Sequence, residues 1–211
     1  ADGTAFSGTL PPKSPPQIPK CCPECETELQ LDGAFLRCTN LSCPSRLSRS
    51  ILYWCRALEM DGIGEKLVEQ LCDAGLITNI PDLYRLQKEQ LIGLERMAEK
   101  SASNVIHQLD STRKLPLDVF LSALGLPGIG PELATAFAGE ICTIEAMLTL
   151  NDSDIERLTS IEGVGETVAL SLISGIQDRV EMIQDFSQIL SITEVAKTEA
   201  PIGPLLGYTF C

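Results

Sequence analysis

Four cysteines in the first quarter of the sequence could hold a metal ion. They form two close pairs: Cys22-Pro-Glu-Cys25, and then, after a gap of twelve residues, Cys38 with Cys43. Two such pairs can place four thiolates tetrahedrally around one zinc ion. The spacing therefore predicts a four-cysteine site that binds one zinc per chain, with Cys22, Cys25, Cys38 and Cys43 as ligands.

Two other uses of these cysteines are open. They could form two disulfides or remain unpaired in a core, but the sequence shows no charged-then-apolar leader and no membrane-spanning apolar run. These features indicate a cytoplasmic protein, where disulfides are disfavoured. Cys21 could compete with Cys22 as a ligand, although the Cys-Pro-x-Cys register favours Cys22.

The elements around the cysteines follow from local patterns. Apolar residues alternate between the two pairs, at Leu29, Leu31, Ala34 and Leu36, which predicts a small hairpin within a zinc finger over residues 21–46. Residues 1–20 contain five prolines and are predicted to be a linker.

The rest of the chain is organised by a short phrase that occurs four times. The four copies are Asp61-Gly62-Ile63-Gly64, the degraded Arg96-Met97-Ala98-Glu99, Pro127-Gly128-Ile129-Gly130 and Glu162-Gly163-Val164-Gly165. The last small residues, at positions 64, 98, 130 and 165, recur at intervals of 34, 32 and 35 residues. Apolar residues at helical spacing lie on both sides of each phrase, so the predicted unit is helix, hairpin, helix.

A glycine-rich turn before a helix leaves amide N–H groups uncovered on a positive helix end, where a phosphate can bind. The repeat therefore predicts helix-hairpin-helix motifs that hold DNA through backbone phosphates without reading sequence. The alternative is a helical array in which the glycines only form tight corners. The predicted DNA-binding residues are Gly62, Gly64, Lys66, Arg96, Lys100, Gly128, Gly130, Gly163 and Gly165.

The predicted fold class is mainly α, with the four-cysteine zinc finger followed by four helix-hairpin-helix repeats over residues 47–190. Helices are expected over 47–58, 82–86, 117–124 and 178–190, with Asn151 and Ser153 as capping candidates. Residues 191–204 are expected to be a linker, and residues 205–211 to begin a further domain of a longer protein.

The net charge of −13 opposes nucleic-acid binding, so its distribution matters. Residues 33–58 carry Arg37, Arg46, Arg49 and Arg56 and no carboxylate. The acidic excess belongs to the helical part, where carboxylates can lie on solvated faces away from the hairpins.

Several connected phrases make the chain resemble bacterial NAD-dependent DNA ligases over roughly residues 20–190. These phrases are Cys-Pro-x-Cys, Arg37 to Pro44, Met60 to Leu67, Asp82 to Leu86 and Leu94 to Ala102. The resemblance implies the zinc finger and four-hairpin domain of that family, with residues 191–211 as a linker and the truncated start of its BRCT domain. It implies a parent enzyme that uses NAD and magnesium to adenylate a lysine and seal nicks during DNA replication and repair, with the hairpin domain across the minor groove.

Two departures limit what the resemblance carries over. Ala98 replaces a family glycine, so the second hairpin is expected to hold phosphate less closely or with about 1 kcal/mol of strain. The family's Lys-x-Asp-Gly motif is absent, since Glu59 takes the lysine position. No catalytic or NAD-binding residue is assigned, and the chain is expected to bind nicked duplex DNA but to need the adenylation and OB domains of the same protein for chemistry. The alternatives are a stand-alone, non-enzymatic DNA-binding protein and a protein-interaction module.

Overall fold

The computed structural model describes residues 18–40 and 43–195. Its N-terminal part is a hairpin of β1 (Leu29–Asp32) and β2 (Phe35–Cys38), paired antiparallel with Leu29 opposite Cys38. Gly33 makes the turn with a φ of 60°, a left-handed conformation that glycine adopts without penalty. The predicted hairpin is confirmed.

Four helix pairs follow, one around each phrase, and together they confirm the predicted mainly α fold of tandem helix-hairpin-helix units. The pairs are α1 (Pro44–Ala57) with α2 (Glu65–Asp73), α3 (Lys88–Ile92) with α4 (Glu99–Ser111), α5 (Leu117–Ala123) with α6 (Pro131–Ile141), and α8 (Ile155–Thr159) with α9 (Glu166–Gln177). Two further helices, α7 (Ile144–Leu148) and α10 (Val180–Ile189), and two 3-10 turns (Pro81–Arg85 and Asp152–Asp154) complete the helical part.

One aromatic cluster joins the two halves of the helical domain. Trp54 of α1 stacks on Phe186 of α10, with ring centroids 4.5 Å apart, and meets Phe120 of α5 edge-on at 5.8 Å. The Trp54 indole N–H donates to the Tyr84 hydroxyl at 3.1 Å, so its one polar group is satisfied in the core. The first hairpin's entry helix is therefore packed against elements from far along the chain.

The structure differs from the sequence-based expectations at three places. Helix α1 begins at Pro44, three residues before the predicted start, because proline is suited to the first helical position. Residues 191–193, expected in a linker, form strand β4 (Ser191–Thr193), which pairs in parallel with β3 (Lys114–Pro116). The apolar sequence around Cys142 also predicts a small buried residue within a helix, but Cys142 is half-buried and lies just beyond α6 with a φ of 68°.

One of the two capping expectations is met, and the expectations for the two ends of the chain lie outside the described ranges. The side chain of Asn151 accepts from the amide of Ser153 and so caps the turn that leads into α8. The expectations for residues 1–17 and 196–211 concern parts of the chain that the structure does not describe. None of the helices in the described ranges combines the length and the apolar character needed to cross a bilayer.

Candidate metal centre and nucleic-acid interface

The four predicted cysteines lie together beside the β-hairpin. Their Sγ atoms are all within 4.8 Å of one another, with Cys22 to Cys43 at 3.8 Å and Cys25 to Cys38 at 3.5 Å. Thiolates about 2.3 Å from a tetrahedral zinc ion are about 3.8 Å from each other. The cluster thus has the dimensions of a four-thiolate metal site and could bind a metal ion.

The disulfide alternative for these cysteines does not match the geometry. A disulfide needs sulfur atoms about 2.05 Å apart, so both close pairs are thiols rather than cystines. Cys21 is exposed and lies outside the cluster, which leaves Cys22 as the residue that faces the other three.

Local backbone structure sets the positions of the thiols. The Cys22 carbonyl accepts from the Glu26 amide at 2.9 Å, and Glu26 takes a φ of 58° to close this tight turn. Cys43 occupies the N-cap of α1, where its carbonyl accepts from the amides of Arg46 and Leu47, both at 2.9 Å. The fourth thiol is therefore fixed by the first turn of a helix.

The thiols differ in acidity. Hydrogen bonds with Thr27 lower the pKa of Cys25 to about 6, whereas burial raises the pKa of Cys38 to about 12 and also raises that of Cys43. Burial costs the charged form, and four close thiolates repel one another. A divalent cation at the centre would remove both costs, because it favours the thiolate form of each ligand.

The four hairpin tips have the same shape. In each phrase one apolar residue points inward, and Ile63, Ile129 and Val164 are buried in this way. The small residues on either side of it are exposed. The residue just before this apolar one has a positive φ in every copy: 83° at Gly62, 76° at Gly128, 82° at Gly163, and 61° at Arg96. The second hairpin thus keeps the shared conformation although it lacks glycine.

This corrects the expectation of strain at Ala98. Ala98 has a φ of −79°, which any residue adopts easily, and only Arg96 carries the left-handed conformation that a Cβ penalises. Sequence reasoning placed the cost at the wrong residue because it compared residue types without knowing which of the two positions needs a positive φ.

The second small residue of each phrase is the N-cap of the next helix. Gly64, Gly130 and Gly165 have φ values of −100°, −89° and −90°, and a Cβ built on any of them would meet no atom within 4 Å. No side chain caps any of these helices. The first amides of each helix are thus left uncovered, except that Pro131 removes one donor from α6, the helix that follows the third hairpin.

The predicted cationic residues are all exposed and belong to the first two hairpins. Lys66 and Arg96 line one cleft between α2 and the second hairpin. Gln70 holds that hairpin in place, because its Oε1 accepts from the Glu95 amide at 2.7 Å. Lys100 lies in the first turn of α4.

One carboxylate near the second hairpin has a partner. The Lys88 ammonium lies 2.9 Å from the Glu99 carboxylate at the start of α4. This hydrogen bond lowers the pKa of Glu99. The pair offsets part of the negative charge beside the uncovered amides.

Comparison with known proteins identifies the class. The family model for the SAM-like helix-hairpin-helix tandem matches residues 56–111 and 120–178, which together hold all four phrases. The chain belongs to this family of tandem helix-hairpin-helix domains.

More specific relatives are DNA ligases. The chain is 34% identical over 194 residues to a DNA ligase of Coprothermobacter proteolyticus, covering 91% of this chain and 28% of that protein. It is 36% identical over 209 residues to one of Nitrosococcus oceani (95% of this chain, 30% of the relative) and 41% identical over 161 residues to one of Haloarcula marismortui (74% and 23%). The chain therefore corresponds to a segment of DNA ligases and spans less than a third of their length.

Proposed function

We propose that this chain is the DNA-binding portion of an NAD-dependent DNA ligase that seals nicks in duplex DNA during replication and repair. The proposal is supported by ligase relatives along most of the chain, by the four-thiol cluster and by the four hairpins. It implies a protein that works in the cytoplasm on nicked double-stranded DNA, together with adenylation and OB domains of the same protein.

The single observation that carries the DNA-binding role concerns the second glycine of the hairpins. At Gly64, Gly130 and Gly165 neither the backbone conformation nor packing within the protein requires glycine. A group from outside that approaches the uncovered amides closely would require it, because a Cβ would then obstruct the approach. A backbone phosphate fits these N–H donors and the positive helix end.

Contacts of this kind bind duplex DNA without sequence preference. The family resemblance suggests that the hairpins do so from the minor-groove side. Lys66, Arg96 and Lys100 add charge at the first two hairpins, whereas the glycine amides serve the first, third and fourth.

We propose that the cysteine cluster binds one structural zinc ion. All four ligand positions are thiols, so no position remains for a substrate or a reactive water. NAD and magnesium belong in this proposal to the parent enzyme. The segment has no assigned nucleophile and is proposed to be inactive by itself.

The test is the affinity for a nicked duplex, measured by fluorescence anisotropy on two unrelated sequences. Gly130→Asp places a carboxylate at the phosphate position and should weaken binding at least tenfold on both sequences. Gly139→Asp is the matched control, since Gly139 lies near the other end of α6 and a Cβ there also meets no atom within 4 Å.

Equal affinity of Gly130→Asp and the wild-type protein would refute phosphate binding at the third hairpin. Absence of binding by the wild-type protein at low salt would instead favour a protein-interaction module, as the charge of −13 suggests. Binding without any contribution to nick sealing, when the other ligase domains are supplied, would favour a stand-alone DNA-binding protein.

A further inference from the structure

Helix α1 has an outward face that the hairpin mechanism does not use. Residues 44–57 include Arg46, Arg49 and Arg56 but no carboxylate, in a chain whose net charge is −13. At about 100° per residue, positions 49, 53 and 56 fall on one narrow stripe, opposite the buried face that Ile51, Trp54 and Cys55 form. We call Arg49, Tyr53 and Arg56 the α1 stripe.

The two arginines of the stripe are exposed, and within residues 18–40 and 43–195 the structure gives them neither an ion pair nor a side-chain hydrogen bond. Among the other arginines, Arg85, Arg113 and Arg157 each bind a nearby carboxylate, and Arg179 donates to the Gly175 carbonyl. The α1 stripe thus presents two cations that no carboxylate of the described residues neutralises.

Tyr53 of the stripe contacts the segment that leads into the third hairpin. Tyr53, 44% exposed, covers Gly125, and a Cβ on that glycine would come within 3.0 Å of two atoms of the Tyr53 ring. Gly125 precedes the third phrase by two residues. Ser171 of α9 donates to the Pro127 carbonyl at 2.7 Å, which brings the fourth repeat against the same phrase.

The hairpins next to the stripe lack cationic side chains of their own. Lys66 and Lys100 occupy the second position after the N-cap in the first two repeats, but the third and fourth repeats have Glu132 and Thr167 there. The third and fourth repeats therefore offer backbone N–H donors to a phosphate but no lysine at this position. Helix α1, which belongs to the first repeat, carries Arg49 and Arg56 one turn to either side of Tyr53, the residue that contacts Gly125.

The structure assigns to Arg49 and Arg56 the binding of duplex DNA backbone phosphates next to those held by the third hairpin. This inference rests on the proposed DNA-binding function and extends it to a surface outside the hairpins. Arg46 is not part of it, because that residue is half-buried in a cleft that also contains Asp178, Glu181 and Asp185.

The experiment measures the dependence of DNA affinity on salt concentration. Each cation that neutralises a phosphate contributes about 0.9 to the slope of log affinity against log salt. The double variant Arg49→Gln with Arg56→Gln should lower the slope by about 1.8. If the variant and the wild-type protein bind equally at about 1 M salt, the variant should bind about 60-fold more weakly at about 0.1 M salt. The paired substitutions Arg49→Lys and Arg56→Lys should retain most of the slope.

Lys114→Gln is the charge control, because Lys114 is an exposed cation on β3, at the opposite end of α5 from the third hairpin. It should leave the slope unchanged. Circular dichroism and the thermal midpoint verify folding, and the two single glutamine variants are measured as well, so that poor folding of the double variant leaves the test intact.

An unchanged slope in the double variant, with Gly130→Asp still weakening binding, would overturn this inference and leave the proposed function standing. A wild-type protein that does not bind duplex DNA would instead overturn the proposed function. A slope lowered by Lys114→Gln as much as by either single arginine variant would show diffuse electrostatics rather than a site on α1 and would also overturn the inference.

Discussion

Replacing Arg96 by glycine should make the protein more stable and its DNA complex weaker. Arg96 has a φ of 61° in a hairpin whose counterparts at this position are all glycine. A Cβ in the left-handed region costs about 1–2 kcal/mol. The greater freedom of glycine in the unfolded chain offsets about 0.5–1 kcal/mol of this gain, so near the midpoints of both ranges the net stabilisation should be about 0.5–1 kcal/mol.

The side chain of Arg96 gives little stability in return. Its one ion pair, with Glu95 at 3.5 Å, joins side chains that are 82% and 77% exposed, and such pairs are screened by solvent. For a domain of this size, 1 kcal/mol corresponds to about 2–4 °C in Tm. Arg96→Gly should therefore raise the Tm by about 1–4 °C.

Two further variants separate conformation from charge. Arg96→Ala keeps the strained φ and loses the cation, so its Tm should not rise, whereas its DNA affinity should fall as in Arg96→Gly. The expected loss is about eightfold at 0.1 M salt, from about 0.9 in the salt slope. Arg96→Lys should match the wild-type protein in both measurements.

The assays are thermal unfolding followed by circular dichroism and anisotropy titration with a nicked duplex. A Tm of Arg96→Gly at or below that of Arg96→Ala would refute the assignment of strain to this residue. An unchanged affinity in both variants would show that the second hairpin does not use its arginine to bind DNA.

Three other outcomes are expected. Removing metal with a chelator should unfold residues 21–45 and shorten α1 at its start, because Cys43 belongs both to the thiol cluster and to the N-terminus of α1. An unchanged circular dichroism spectrum, or no zinc by elemental analysis, would count against the metal site. Trp54→Ala should destabilise the fold by about 3–5 kcal/mol in denaturant unfolding, as expected for a fully buried aromatic residue, and a loss below about 1 kcal/mol would mean that the aromatic cluster is not the common core. Supplied with NAD, the chain alone should form no lysine adenylate, and when mixed with separate adenylation and OB domains it should raise nick sealing at limiting DNA; labelled AMP on this chain would contradict the proposed division of roles.

Low pH should reduce the stability of the fold in part through Asp82, which lies in the turn before α3. Although burial opposes it, hydrogen bonds from Thr78, Asn79 and Arg85 lower the pKa of this carboxyl overall. Its contribution to stability is therefore present above the ordinary aspartate pKa, about 3.9, and is lost as the pH falls through the lower folded value. Asp82→Asn should flatten the decline of stability below about pH 4, and an identical decline in both proteins would refute this.

The sequence was most informative where structure is local. Glycine pairs at a constant interval and cysteines at metal-ligand spacing are short-range patterns, and the four hairpins and the thiol cluster lie where these patterns predict. The fold class follows from the same local signals, because each repeat is one helix pair around one turn.

Longer-range and conformational features were beyond these patterns. Strands β3 and β4 have three residues each and pair across a separation of 77 positions, Lys114 with Ser191, so neither shows a strand periodicity of its own. The positive φ of Arg96 has no signal in an arginine side chain. The α1 stripe emerges only when the buried face of the helix is known, since Arg49 and Arg56 gain meaning from lying opposite Trp54.

Cys43 has a further consequence, since it is a thiol of the candidate metal centre and also the residue on which α1 starts. Eleven positions later the same rigid helix carries Trp54 into the core. Helix α1 thereby fixes both the distance and the rotational orientation of the β-hairpin relative to the helical domain. A single residue inserted between Cys43 and Trp54 would turn the two ends by about 100° relative to each other while adding only about 1.5 Å of length. The number of residues in this stretch thus fixes the angle at which the hairpin is presented.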